Sequence, residues 1–376
     1  FNRCSTLGRL GRCLGEQGQT TAAETILRQA LAEAGTLEPS PEVLRLISSG
    51  LTDLGTTLYR SGDVDGAETC YQAALTIDKE LDDAQGMAVT EMNLGVLALY
   101  RNDLPQAEQR YRAAVTAFQA LREPAQEAVA WHQLGMVLQL AERWAEAEAA
   151  YRESARLNEA LGRPLAAANT WDHLAQLMAD TGHPAAAEDW YRKALTAFRD
   201  GNDPVGTFRT LGNLANLLSR QPGRLAEASA CAEQALVLQE PLDPAAATIW
   251  TTYAILADIA DQDGRGDAAR GYRQQARHSF AAAPIARATL RQVAPLIGAV
   301  LHALADPTQR PALEQGLAQS GGSALVAALR QILDGARDAD ALCEPLNWGE
   351  SLIVATTLRA LADPSVLAGL LPQDGP

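Results

Sequence analysis

One spacing, forty residues, limits what this chain can fold into. Pro124, Pro164, Pro204 and Pro244 keep it, as do Leu54, Leu94, Leu134, Leu174 and Leu214. So do Ala67, Ala107, Ala147 and Ala187, and so do Tyr71, Tyr111, Tyr151 and Tyr191. Four residue types in one register mean that the chain is built from copies of one small unit, each burying its apolar side against the next. Such an array grows in one dimension, so 376 residues need not be divided among two or three separate cores.

Within a repeat the apolar residues recur at helical, not alternating, spacing. Trp131, Leu134, Gly135 and Leu138 share one face of a helix expected over residues 124–142. Ala147, Tyr151, Ser154 and Ala155 share a face of a second, over residues 144–161. Pro124 stands where the first helical N–H has no partner to lose, and Asp203 and Asp243 precede the equivalent prolines as N-caps. Gly18, Gly62 and Gly182 suit the left-handed residue that ends a helix. Hydrophobic residues make up 47% of the chain and aromatics only 5%, a balance that favours helix over strand. Small residues mark the close approach of the paired helices: Gly55, Gly95, Gly135, Ala175 and Ala215 on the first, Ala67, Ala107, Ala147, Ala187 and Ala228 on the second. The pattern frays where Gln221, Pro222 and Gly223 insert a residue, and over residues 250–264. Beyond residue 283 the repeat stops, the sequence stays helical, and Leu304, Ala305, Asp306 and Pro307 recur as Leu361, Ala362, Asp363 and Pro364.

The net charge of −15 comes without a basic stripe, which argues against nucleic acid as a partner. The longest apolar run, residues 293–305, falls short of the ~18 residues a membrane span needs and contains His302, so no membrane partner is expected. Five scattered cysteines suit reduced thiols and a cytoplasmic location. Lysine occurs only at Lys79 and Lys193, an arginine bias that points to a bacterial source, and a first residue of Phe points to the C-terminal part of a larger protein. No phosphate loop or dinucleotide glycine motif is present, no two histidines stand four apart, and no cysteine pair has zinc spacing, so no cofactor, metal or catalytic residue is expected. Gly321, Gly322 and Ser323 read as a hinge, and Arg265, Gly266 and Asp267 as a loop. An unrecognised catalytic dyad would first be sought at Cys343 and His302, with core packing the plainer role for Cys343.

Leu51, Leu54, Gly55, Leu58, Gly62, Ala67, Tyr71, Ala74 and Leu75 together resemble the tetratricopeptide-repeat motif, and Trp131 and Trp171 strengthen the likeness, which runs over residues 7–280. The usual repeat is ~34 residues, so this is a long-repeat variant. The resemblance implies an all-α, right-handed α-solenoid of about seven helix pairs over residues 1–282, with a helical C-terminal capping region over residues 283–376. It implies binding, not enzymatic activity. In that family the first helices line a concave groove, onto which the motif places Thr52, Thr56 and Tyr59; Met92, Val96, Leu99 and Tyr100; His132, Met136 and Gln139; Asp172, Gln176 and Asp180; and Arg209, Asn216 and Arg220. The groove is then expected to pass from aromatic and apolar to polar, which suits a protein or peptide ligand. The lysine of the family's carboxylate-clamp subtype is missing, although Asn216 matches one of its positions. Related arrays follow signalling NTPase or caspase-like protease domains, which implies a scaffold or sensor module with other domains of the same chain as further partners. The alternatives are a free-standing peptide-responsive regulator and an enzyme with an unrecognised site.

Overall fold

The computed structural model describes residues 1–238, 249–282, 284–319, 323–343, 346–363 and 365–368. Asp243, Pro244, Gly321, Gly322 and Pro364, which belong to the sequence patterns, lie outside the described residues. The helices are α1 (Asn2–Glu16), α2 (Thr20–Ala34), α3 (Pro41–Ser61), α4 (Val64–Glu80), α5 (Ala84–Tyr100), α6 (Leu104–Leu121) and α7 (Pro124–Leu140). They continue as α8 (Trp144–Ala160), α9 (Pro164–Asp180), α10 (Pro184–Asp200), α11 (Pro204–Ser219), α12 (Leu225–Val237), α13 (Ile249–Gln262) and α14 (Gly266–Ala282). Then come α15 (Pro284–Ala305), α16 (Arg310–Gln319), α17 (Ala324–Leu333), α18 (Ala339–Cys343), α19 (Trp348–Ala362) and α20 (Ser365–Ala368). No strand occurs among the described residues.

The forty-residue period is two copies of a twenty-residue step. Most helices from α4 to α10 have 17 residues, and linkers of two or three residues join them. The linker residue two before the next helix has positive φ at Gly62, Asp82, Asn102, Arg122, Glu142, Gly162, Gly182 and Asn202. At Asn102 the backbone closes a Schellman motif: Asn102 N–H donates to the Leu99 carbonyl (2.9 Å) and Asp103 N–H to the Ala98 carbonyl (2.8 Å). The next residue caps the following helix. Asp63, Asp83, Asp103 and Asp203 accept from the N–H groups of Gly66, Gly86, Gln106 and Gly206. The linkers ending in Asp63, Asp83, Asp103 and Asp203 therefore satisfy the end of one helix and the start of the next, whereas Glu123, Arg143 and Arg163 precede α7, α8 and α9 without a side-chain cap.

The chain divides into two compact units, Phe1–Ala197 and Phe198–Pro376, with the division inside α10. The N-terminal unit is an all-α solenoid of successive hairpins. Ala67, Ala107, Ala147 and Ala187 are fully buried, and Tyr71, Tyr111, Tyr151 and Tyr191 are no more than 3% exposed. The tyrosine rings lie on the small residues of the partner helix. A Cβ added at Gly55, Gly95 or Gly135 would stand 2.7, 2.9 or 2.7 Å from the ring of Tyr71, Tyr111 or Tyr151. On the second helices, Lys193 sits 3.8 Å over the Trp171 ring and pairs with Glu159 at 2.8 Å.

In the C-terminal unit α11 pairs with α12 and α13 with α14. Ala232, at the tyrosine position, packs with Ala215 and Leu256. Phe280, Leu290, Ile297, Leu352 and Ile353 then form one core, which joins α14 to α15 and α19. A second core contains Val300, Leu317, Leu329, Ile332, Cys343 and Val354. The repeated tetrapeptide marks two equivalent helix ends: Asp306 accepts from the N–H of Thr308, and Asp363 from that of Ser365. Among the described residues no helix is long and apolar enough to cross a membrane.

Candidate functional site: the first-helix face

In the N-terminal unit the first helices α3, α5, α7 and α9 present equivalent positions one repeat apart, and side chains on neighbouring helices touch. Tyr59 and Tyr100 meet edge to face with centroids 5.9 Å apart. Around them Val96 and Leu99 are half-buried, and Met92 packs against the cluster that holds Phe118 and Ala130. Tyr100 is 64% exposed and Leu140, its equivalent on α7, 58%. Leu140 was not among the residues expected to form the groove. Its position forty residues after Tyr100 was the signal.

The tyrosine hydroxyls reach this face from the second helices. Tyr71 shares a hydrogen bond with Thr56 (3.0 Å), and Tyr191 donates to Gln176 Oε1 (3.1 Å), the residue equivalent to Thr56. Met136 stands at that position on α7, so Tyr151 donates instead to Gln139 Oε1 (2.9 Å). On α5 the same two places are filled by Val96 and Leu99, and the Tyr111 hydroxyl is buried without a partner. Burial raises the Tyr71 phenol to about 12 and pushes the Tyr111, Tyr151 and Tyr191 phenols up as well.

From α7 to α9 the face turns polar. His132 Nδ1 shares a hydrogen bond with Thr170 (3.1 Å), and its ring meets His173 at 4.8 Å. His173 stacks on Tyr151 with centroids 5.7 Å apart. The sequence motif did not select His173; it joins only because α7 and α9 lie side by side. Asp180 Oδ2 accepts from Gln139 Nε2 (3.2 Å) and its Oδ1 from Gln176 Nε2 (2.8 Å). Asp172 is only 4% exposed, so it belongs to the packed interior and not to an open surface.

Thr52 borders a recess of about 560 Å³ with Arg12, Arg45, Asp53 and Asp78. Arg12 pairs with Asp53 at 3.0 Å. Asp78 is buried beneath the hydroxyls of Ser48 and Thr90, and burial pushes its carboxyl up. In the C-terminal unit Arg209 is exposed, with its guanidinium 5.7 Å from the Phe198 ring. Arg209 and Asn216 line a recess of about 340 Å³ with Asn213 and Trp250. Arg220 is exposed and acts electrostatically on Asp258. His302 is exposed while Cys343 is buried, its thiol directed at the Ser351 carbonyl. No group of three or more His, Cys, Asp or Glu among the described residues could hold a metal.

Residues 46–120 and 126–200 match the tetratricopeptide-repeat family model. No curated protein matches the sequence. Among solved structures the fold is similar to a signal transduction ATPase with numerous domains from Pyrococcus horikoshii that carries a tetratricopeptide-repeat sensor. The TM-score is 0.60 and the identity 14%, over 72% of this chain and 41% of that one. This chain thus spans less than half of that protein. The fold is also similar to the apo form of RapI, with TM-score 0.55 and identity 11% over 73% of this chain and 98% of that one. A Rap protein complexed with competence and sporulation factor gives TM-score 0.51 and identity 14%, over 72% of each chain. The motif, the hairpins and the family match agree that residues 46–120 and 126–200 of this chain are tetratricopeptide repeats.

Proposed function

We propose that the chain is a binding module that takes a protein or peptide ligand on the first-helix face, which forms the concave groove of the solenoid. The observation that carries this reading is the pair Tyr100 and Leu140, large apolar side chains more than half exposed at equivalent positions of successive repeats. Large apolar side chains left in water in a row mark a contact surface. The fold likeness to a repeat array described as a sensor, and to a Rap protein bound to a factor, supports the same reading. In this reading residues 1–282 form the array and residues 283–376 cap it, an arrangement supported by the core that joins α14 to α15 and α19. We further infer a role as the sensor part of a larger bacterial signalling protein acting in the cytoplasm, where the free cysteines would stay reduced.

The test is affinity capture from the native host with wild-type protein, with Tyr100→Ala and His132→Ala on the first-helix face, and with Arg152→Ala on a second helix. A partner lost with Tyr100→Ala or His132→Ala but kept with Arg152→Ala, at unchanged helicity, is the expected result. A partner kept by both first-helix variants would place the site elsewhere.

A further inference from the structure

On the first-helix face of the N-terminal unit one position recurs as Arg60, Tyr100, Leu140 and Asp180, and the four side chains differ in kind. Arg60 is tied to the first hairpin, its Nη1 donating to the Gly15 carbonyl at 2.9 Å. Tyr100 and Leu140 form the exposed apolar stretch. Asp180, exposed at the far end, is held by the side-chain amides of Gln139 and Gln176. Neither amide is free to turn over, because the carboxylate only accepts and so takes the nitrogen of each, while each oxygen accepts a tyrosine hydroxyl, from Tyr151 and Tyr191 respectively. The carboxylate is thus aimed by neutral donors, and none of them cancels its charge. Beside the apolar stretch the Tyr111 hydroxyl, buried without a partner and close to the Tyr59 phenol, is a donor that nothing accepts.

We propose that the row Tyr100–Leu140–Asp180 binds an extended segment of a partner protein, with one large apolar side chain on Tyr100 and Leu140 and one lysine or arginine on Asp180. The inference rests on the ligand-binding reading of this face. Neighbouring helices pack about 10 Å apart, so Tyr100 on α5 and Asp180 on α9 are separated by ~20 Å. An extended chain covers ~3.4 Å per residue, which places the two anchors about six residues apart. An open strip of that length fits a peptide better than a compact small molecule. The charges fix its direction, with the cationic residue over α9 and away from Arg60. The net charge of −15 draws a basic segment toward the protein before contact.

The experiment titrates the full chain with fluorescein-labelled synthetic nonapeptides, followed by anisotropy. Each peptide carries one leucine or phenylalanine and one arginine, at separations from two to seven residues, in a serine-glycine background. Glutamine and glutamate replace the arginine in control peptides. Binding should be tightest at a separation of five to six. Asp180→Asn should weaken the arginine peptide about tenfold, as expected for one charged hydrogen bond, and leave the glutamine peptide unchanged. Tyr100→Ala should weaken both. The proposal is overturned if no peptide binds, if separation makes no difference, or if the arginine peptide binds Asp180→Asn as well as wild type. It is also overturned if Asp180→Asn instead abolishes self-association in sedimentation, since the occupant would then be a second copy. Should Tyr100→Ala still abolish capture of the native partner while Asp180→Asn has no effect on any peptide, this proposal fails and the ligand-binding face stands.

Discussion

The four repeat tyrosines occupy the same place in their hairpins, yet their hydroxyls meet four different surroundings. Tyr151 and Tyr191 donate to glutamine oxygens, while Tyr111 has no partner. A buried polar group without a partner weighs against folding, and a satisfied one contributes about 1 kcal/mol. Tyr151→Phe should therefore lower stability by about 1 kcal/mol, whereas Tyr111→Phe should leave it unchanged or raise it; urea denaturation of the two variants reads the difference. Close packing under the rings makes a second case. Gly135→Leu places its Cβ where the Tyr151 ring already stands, 2.7 Å away, so it should cost about 1–3 kcal/mol. An unchanged melting temperature would show that Gly135 does not face the Tyr151 ring. A third case is Asp78, a carboxylate buried where the equivalent residues are Phe118, Asn158 and Phe198. Its folded pKa is raised by burial. Its contribution is therefore fully present below the unfolded value of about 3.9 and is lost as pH rises through the higher folded value. Asp78→Asn should flatten that part of the stability–pH curve and raise stability at neutral pH. An identical curve for the variant would assign the dependence to another group.

At the scale of the helix, the repeated element is the short linker as much as the helix itself. Gly62, Gly162 and Gly182 could be read from the sequence as left-handed residues, and Asp82, Asn102 and Asn202 are residue types that tolerate that conformation. Arg122 and Glu142 gave no local sign. They adopt φ of 56° because α6 and α7 must end there for the next helix to start in step. A side chain in this region costs roughly 1–2 kcal/mol, and glycine relieves it at the expense of a more flexible unfolded chain. Glu142→Gly and Arg122→Gly should therefore raise the melting temperature slightly. Gly62→Val, which adds a β-branched side chain at φ 93°, should lower it. Calorimetry of the three variants checks the order.

At the scale of the whole molecule, equivalent linkers make the repeats of the N-terminal unit interchangeable. Removing residues 84–123 joins Asp83 to Pro124 in register, and the shortened chain should fold with a cooperative melt and helical circular dichroism in proportion to its length. Removing 34 residues from the same starting point puts the tyrosine and glycine positions out of phase and should abolish the cooperative transition. Equal behaviour of the two deletions would mean that the forty-residue step is not what holds the array together.

The sequence alone determined the helical hairpin, its period and its buried positions, because a periodic pattern of small and large apolar residues admits only one way of packing each hairpin on the next. It also placed Tyr59, Tyr100, His132, Gln139 and Asp180 on one face by motif. Only the tertiary structure decided how those residues are used. Gln176 reaches Asp180 within α9, but whether Gln139 joins it, Tyr111 is left without an acceptor, Asp172 is buried or His173 stacks on Tyr151 depends on contacts between residues on different helices. Such contacts join residues about twenty to forty positions apart in the chain, and no local pattern in the sequence records them.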